Sequence, residues 1–147
     1  MYRAGGDSPY NFLKERIMNK KRIYLAGGIM NISYEEAYDW RRSTAYILAQ
    51  RGANFECFNP LDHEGMEDEV EFDLNALRHS DLVLVNFNDP KSLGTMAEIA
   101  IAYEHRIPII GYCPHGAVNL HPWINYMTNE MCVDLEDLID TIINYDY

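Results

Sequence analysis

Positive charge is scarce in this chain. Its 147 residues hold 12 Lys and Arg against 23 Asp and Glu, a formal net charge of −11. A field of that sign repels phosphate polymers, which argues against a nucleic-acid partner and leaves room for a small nucleotide in a local pocket. Long apolar runs are missing as well. No stretch of about 18 apolar residues suits a membrane span, and the N-terminus lacks the apolar segment of a signal peptide. Cys57, Cys113 and Cys132 are odd in number and show no CxxC spacing, so free thiols in a reducing cytoplasm are expected. The histidines form no H-x-x-x-H pair, and Cys113-Pro114-His115 is too little for zinc, so no metal is expected. GxGxxG and GxSxG are absent, which removes the dinucleotide fingerprint and the hydrolase elbow.

What is present suits one globular domain. The chain is 48% hydrophobic, and a chain of this length buries about 68–70% of its unfolded surface without staples. Residues 1–17 (MYRAGGDSPYNFLKERI) differ from the rest in having little usable periodicity. Lys14-Glu15 can be encoded as a ribosome-binding sequence just ahead of Met18. The segment is therefore expected to be either a translated leader before a start at Met18 or a mobile N-terminal arm. Residues 18–147 are expected to form a single domain.

Strands and helices alternate along that domain. Arg22 to Ala26 reads as a strand ending in Gly27-Gly28. Ser33 opens a helix with Glu36 as its capping-box partner; Ala37, Trp40, Thr44, Ile47 and Leu48 mark the inner face, and Gly52 stops it. Asn54 to Phe58 is a second strand ended by Asn59-Pro60, and a helix runs from about Glu69 to His79. Leu82 to Phe87 is apolar without alternation, as in a parallel strand covered on both faces. A helix from Thr95 to His105, a strand from Ile107 to Tyr112 and a weak strand near Met131-Cys132-Val133 follow. Leu135, Leu138, Ile139 and Ile142 mark the last helix. Repeated βα units imply an α/β, flavodoxin-like, doubly wound parallel sheet of about five strands. Ligands then bind beyond the strand carboxyl ends, in the loops after Ala26, Asn59, Phe87 and Tyr112.

Three places in those loops carry chemistry. Gly94 and Thr95 stand where a strand gives way to a helix, with free N–H groups facing the crevice. Glu98 is expected in the first turn of that helix, and its helical neighbours Gly94, Thr95, Ile101 and Ala102 include no basic residue. On spacing alone, Thr95-x-x-Glu98 also fits a capping box. Asp73 shares a helical stripe with Val70, Leu74 and Leu77. A carboxylate there is either tied to a backbone donor or kept protonated for acid–base work. Two carboxylates converging on one crevice suit the nucleophile-plus-acid chemistry of retaining glycosidases. Gly27 and Gly28 would let a ligand approach the backbone closely.

With YLAGG after strand one, NPLD after strand two, DLNALRHSDLVLVNF and SLGTMAEIAIAY, the chain resembles the nucleoside 2-deoxyribosyltransferase family from about Lys21 to Leu120. The resemblance implies cleavage of a nucleoside's N-glycosidic bond without a cofactor. It makes Glu98 the nucleophile that forms a covalent deoxyribosyl-enzyme. Asp73 becomes the acid that protonates the leaving base, and Tyr24 the residue orienting the nucleophile. Gly27, Gly28, Asp62, Ser92, Gly94 and Thr95 would line the substrate. Asn119 would hold the sugar 5′-hydroxyl of a neighbouring subunit, which implies a homo-oligomer, at least a dimer. The chain departs from typical transferases at Ser92, where they carry aspartate; a serine in SLG resembles the related 2′-deoxynucleoside 5′-monophosphate N-hydrolases. Against that, the first loop GGIMNIS has no arginine. The expected partner is thus a small nucleoside or nucleotide. The rival classes are a non-catalytic nucleotide-binding module and phosphoribohydrolase chemistry, whose PGGxGT cluster is missing.

Overall fold

The computed structural model describes Pro9 and residues 20–52, 54–116 and 120–147. The expected leader, apart from Pro9, and Asn119 lie outside the described residues. Five strands, β1 (Lys21–Gly27), β2 (Phe55–Phe58), β3 (Leu82–Asn86), β4 (Ile109–Tyr112) and β5 (Glu130–Cys132), form one parallel sheet in the order β2-β1-β3-β4-β5. This is the doubly wound architecture expected from the alternating pattern. Every residue of β3 and β4 is buried, which explains why neither alternates.

Helices cover both faces. α1 (Tyr34–Gln50) and α5 (Leu135–Ile143) pack Trp40, Leu48, Leu138, Ile139 and Ile142 on Ile23, Leu25, Leu84 and Ile110. The opposite face carries α2 (Glu69–Arg78), α3 (Leu93–Glu104) and α4 (Pro122–Met127), which bury Leu77, Ile99, Ala102, Ile124 and Met127 against Tyr24, Ala26, Val83 and Val85. The Ser33 cap forms as its spacing demands, Ser33 Oγ accepting from Glu36 N at 3.2 Å.

The start of α3 and the burial of Val70 differ from what the spacing suggests. α3 begins two residues before Thr95, because Ser92 is its cap and Ser92 Oγ accepts from Thr95 N at 3.3 Å. No Thr95–Glu98 capping box forms, and Glu98 sits in the second turn. Val70, expected on the buried stripe of α2, is 72% exposed, in a first turn where Phe72 is exposed too; the helix buries Leu77, in its last turn. α4 and the 3₁₀ turn Pro60–His63 are additional elements too short for periodicity to reveal. The described residues contain no helix long and apolar enough to cross a membrane, and all three cysteines are free.

Candidate active site

The strand order reverses between β1 and β3, the point of an open α/β sheet beyond whose carboxyl ends ligands bind; the loops leaving those two strands are tied there, Gly28 N donating to Asn88 Oδ1 at 3.0 Å. The register puts Gly27 opposite Asn86, and Asn86 opposite Tyr112. Around that point five buried polar atoms have no hydrogen-bond partner among the described residues: Trp40 Nε1, Asp73 Oδ1, Asn86 Oδ1, Asn88 Nδ2 and Glu98 Oε2. Unpaired buried polar atoms are expensive. Their concentration at one edge makes it the candidate site for a polar ligand.

Three of the expected site residues come together there. Tyr24 rises from the middle of β1, 1% exposed, with its ring stacked on Phe58 at 5.3 Å. Its hydroxyl acts on Glu98 as a hydrogen-bonding neighbour, and Asp73 lies close enough for its charge to be felt by both. Burial pushes the Glu98 carboxyl up to about 7; the Tyr24 hydroxyl and Arg41 pull it down, and Asp73 adds to the rise. Burial also pushes Asp73 up to about 6, Glu69 reinforces the shift, and His63 opposes it. The Tyr24 phenol is driven far above its usual range, first by burial and then by the two carboxylates. It therefore acts as a neutral donor. Of the two fates open to Asp73, the backbone tie is not made: Oδ1 is unpaired.

The glycine pair has a packing origin. A Cβ on Gly27 would stand 2.9 Å from Trp40 Cζ2 and 3.0 Å from the Asn86 carbonyl oxygen; one on Gly28 would stand 2.8 Å from Asp89 Cβ. The room these residues leave is taken by protein atoms. Gly27→Ala should therefore destabilise the fold by about 1–3 kcal/mol, since the Asn86 backbone cannot yield; an unchanged thermal midpoint would contradict this crowding. Gly94 is different, because a Cβ there meets nothing within 4 Å. Beside it, Ser92 Oγ accepts from the Thr95 hydroxyl at 3.0 Å as well as from Thr95 N, which leaves the serine proton free to donate outward. Asp62 is exposed on the turn after β2 and does not join the Tyr24–Asp73–Glu98 group. Among the described residues no cluster of three or more His, Cys, Asp or Glu could hold a metal.

One residue escaped the sequence. Arg41, on α1, is 1% exposed and reaches the tip of β1, where Nη2 donates to the Gly27 carbonyl at 3.1 Å. Its spacing four residues after Ala37 and next to Trp40 put it on the inner face. A cation amid the charged run DWRR reads as solvated surface, which hid that signal.

A family model described as nucleoside 2-deoxyribosyltransferase like matches residues 20–117. No curated protein matches the chain by sequence. Among solved structures it is similar to a conserved protein from Enterococcus faecalis V583 (18% identity, TM-score 0.69, covering 84% of this chain and 97% of that one). It is similar also to the 2-deoxyribosyltransferase of Bacillus psychrosaccharolyticus (20% identity, TM-score 0.66, 86% and 93%). A third is the CMP N-glycosidase of Clostridium botulinum (19% identity, TM-score 0.55, 83% and 98%). At these identities the structural likeness establishes the fold. The sequence match spans the strand ends and both carboxylates, and on it the chain belongs to the nucleoside 2-deoxyribosyltransferase-like family.

Proposed function

We propose that the protein cleaves the N-glycosidic bond of 2′-deoxynucleosides through a covalent deoxyribosyl–Glu98 intermediate and passes the sugar to an acceptor base. The observation that carries this reading is the pair of half-buried carboxyls, each with an unpaired oxygen, meeting beside the Tyr24 hydroxyl. A base is a poor leaving group until protonated, and a carboxyl held near pH 6 can deliver that proton. Glu98, once ionised, captures the electron-poor anomeric carbon and divides one difficult step into two. Tyr24 orients the attacking carboxylate. The unpaired Asn86 Oδ1 and Trp40 Nε1 are suited to sugar hydroxyls. An exposed ring cluster of Tyr103, Trp123 and Tyr126 supports the expected homo-oligomer.

A panel of deoxynucleosides and their 5′-monophosphates, with and without acceptor adenine, tests the proposal. Release of base that requires the acceptor identifies a transferase; release into water identifies a hydrolase. No release from any substrate overturns the proposal in favour of a binding module.

A second reading, hydrolysis of the 5′-monophosphates, is favoured by the N-terminus of α3. The Leu93 and Gly94 N–H groups have no acceptor among the described residues, the space at Gly94 is open, and the Ser92 proton is unspent. That combination favours an anion. If it receives the phosphate, the monophosphate is the better substrate and Ser92→Asp reverses the order by at least about tenfold in kcat/KM, because carboxylate and phosphate repel. Equal ranking in both proteins removes the phosphate reading and leaves the plain nucleoside transferase.

A further inference from the structure

A fully buried cation ordinarily has a carboxylate against it, because the desolvation of a guanidinium must be offset. Arg41 has none. The ion pair found among the described residues is Arg51–Asp140, at the surface. Arg41 is instead held by backbone: Nε donates to the Leu25 carbonyl at 3.1 Å, Nη1 to that of Ala37 at 2.7 Å and Nη2 to that of Gly27 at 3.1 Å. Its guanidinium lies over the Trp40 ring, 4.6 Å from the centroid. Three of five N–H donors are thereby spent, and the direction of the charge is fixed by groups that cannot rotate away. A position that merely filled space would be met at lower cost by Met or Leu.

The groups that feel this cation are in the candidate site. Arg41 comes from the helix on one face of the sheet and Glu98 from a helix on the other; Arg41 is clamped to the carbonyls at the end of β1, the strand that carries Tyr24, and without an ion pair each charge is felt by the other. Burial lowers the guanidinium to about 10, against which Glu98 and then Tyr24 act to keep it charged. Glu98 in turn faces Tyr24 on β1, Arg41 on α1 and Asp73 on α2. Of these, Arg41 alone bears positive charge. We propose that Arg41 is a positioning residue for Glu98, a backbone-clamped charge that keeps the carboxylate ionised for attack and favours its departure from the sugar.

This rests on Glu98 being the nucleophile. In the first half-reaction a Glu98 oxygen bonds to C1′ while the C1′–N bond breaks; its electron pair leaves with the base, which takes the Asp73 proton. In the second, the acceptor nitrogen or a water attacks C1′ and gives its proton to Asp73, and the C1′–O pair returns to Glu98. The negative charge on Glu98 is present before and after but absent in the ester. A fixed cation therefore favours both ends of the cycle over the intermediate.

The test compares wild type with Arg41→Met and Arg41→Lys. Glu98 titration is read by carbon-13 NMR of side-chain-labelled glutamate, assigned with Glu98→Gln, and the sugar–enzyme is read by acid quench and mass spectrometry. Arg41→Met should raise the Glu98 midpoint by about one pH unit or more. The acid limb of kcat/KM should move with it, and the trapped ester should increase several-fold. Arg41→Lys should restore the midpoint. A folded Arg41→Met protein with the wild-type midpoint overturns the proposal. Where that variant does not fold, Arg41→Lys decides: a midpoint near wild type supports the role of charge, and one raised by about a unit or more overturns it. Because NMR needs no turnover, a shifted midpoint in proteins that release no base retires the glycosyl chemistry while leaving the electrostatic role in place.

Discussion

Glu98→Ala should release no base from any deoxynucleoside, and Glu98→Gln should be equally inactive while melting higher than wild type above pH 7. The activity loss follows from the chemistry: neither side chain can form the sugar ester, and no second carboxylate in the crevice can replace it without abandoning the proton-donor role. Residual turnover above roughly a hundredth of wild type would assign Glu98 a structural place instead. The stability gain follows from burial. The Glu98 carboxyl ionises at about 7 in the fold against about 4.3 in an unfolded chain. Its neutral form therefore contributes stability in full below the unfolded value, and that contribution is lost as pH rises through about 7. A glutamine keeps the shape and never acquires the charge. Melting curves at pH 4 and pH 8 separate the effects, with a difference expected at the higher pH. Were the two proteins to melt alike at pH 8, Glu98 would be a solvated carboxylate after all.

Asp73→Asn should slow base release by about 10²–10⁴-fold, the range associated with losing a positioned proton donor. The loss should be largest for bases that leave poorly as anions and small for a base that is already cationic, such as a 7-methylated guanine. Uniform slowing across that series would remove Asp73 from the acid role. The pH profile supplies a second check. Activity needs Glu98 ionised and Asp73 protonated, and the two carboxyls titrate as an interacting pair at about 7 and about 6. The profile should be a narrow bell, its acid limb set by formation of the nucleophile and its alkaline limb by loss of the Asp73 proton. Asp73→Asn should remove the alkaline limb. Because the nucleophile is the weaker acid of the two, the productive protonation state is a minority form at every pH. The positive charge of Arg41 counts most under that condition.

The course of the chain was determined largely by the sequence on its own. LVLVN and IIGY are continuous apolar runs, which a parallel strand buried on both faces requires. Ser33 with Glu36 set a helix start through contacts three residues apart, and the five strands follow in the expected sequence. Glu98 and Asp73 were marked as candidates by carboxylates set on apolar helices, and Tyr24 only by the family resemblance that the order of motifs carries. The tertiary structure decided what those residues meet. Glu98 and Asp73 lie 25 positions apart on separate helices, and their convergence with Tyr24 depends on β3 crossing over β1 to create the switch point. The start of α3 was decided by Ser92, whose hydroxyl competes with that of Thr95 for the same capping role. Val70 stands in a first turn left open to solvent, while the same helix buries Leu77 in its last turn. Arg41 is the sharpest case: helical spacing puts it rather than Arg42 on the inner face, and only the fold supplies the backbone carbonyls of Leu25 and Gly27 that let a cation be buried there. Local hydrogen bonds and apolar periodicity act over a few residues and can be read from the chain. Electrostatic fields act through space, and their sources are fixed only when the sheet has closed.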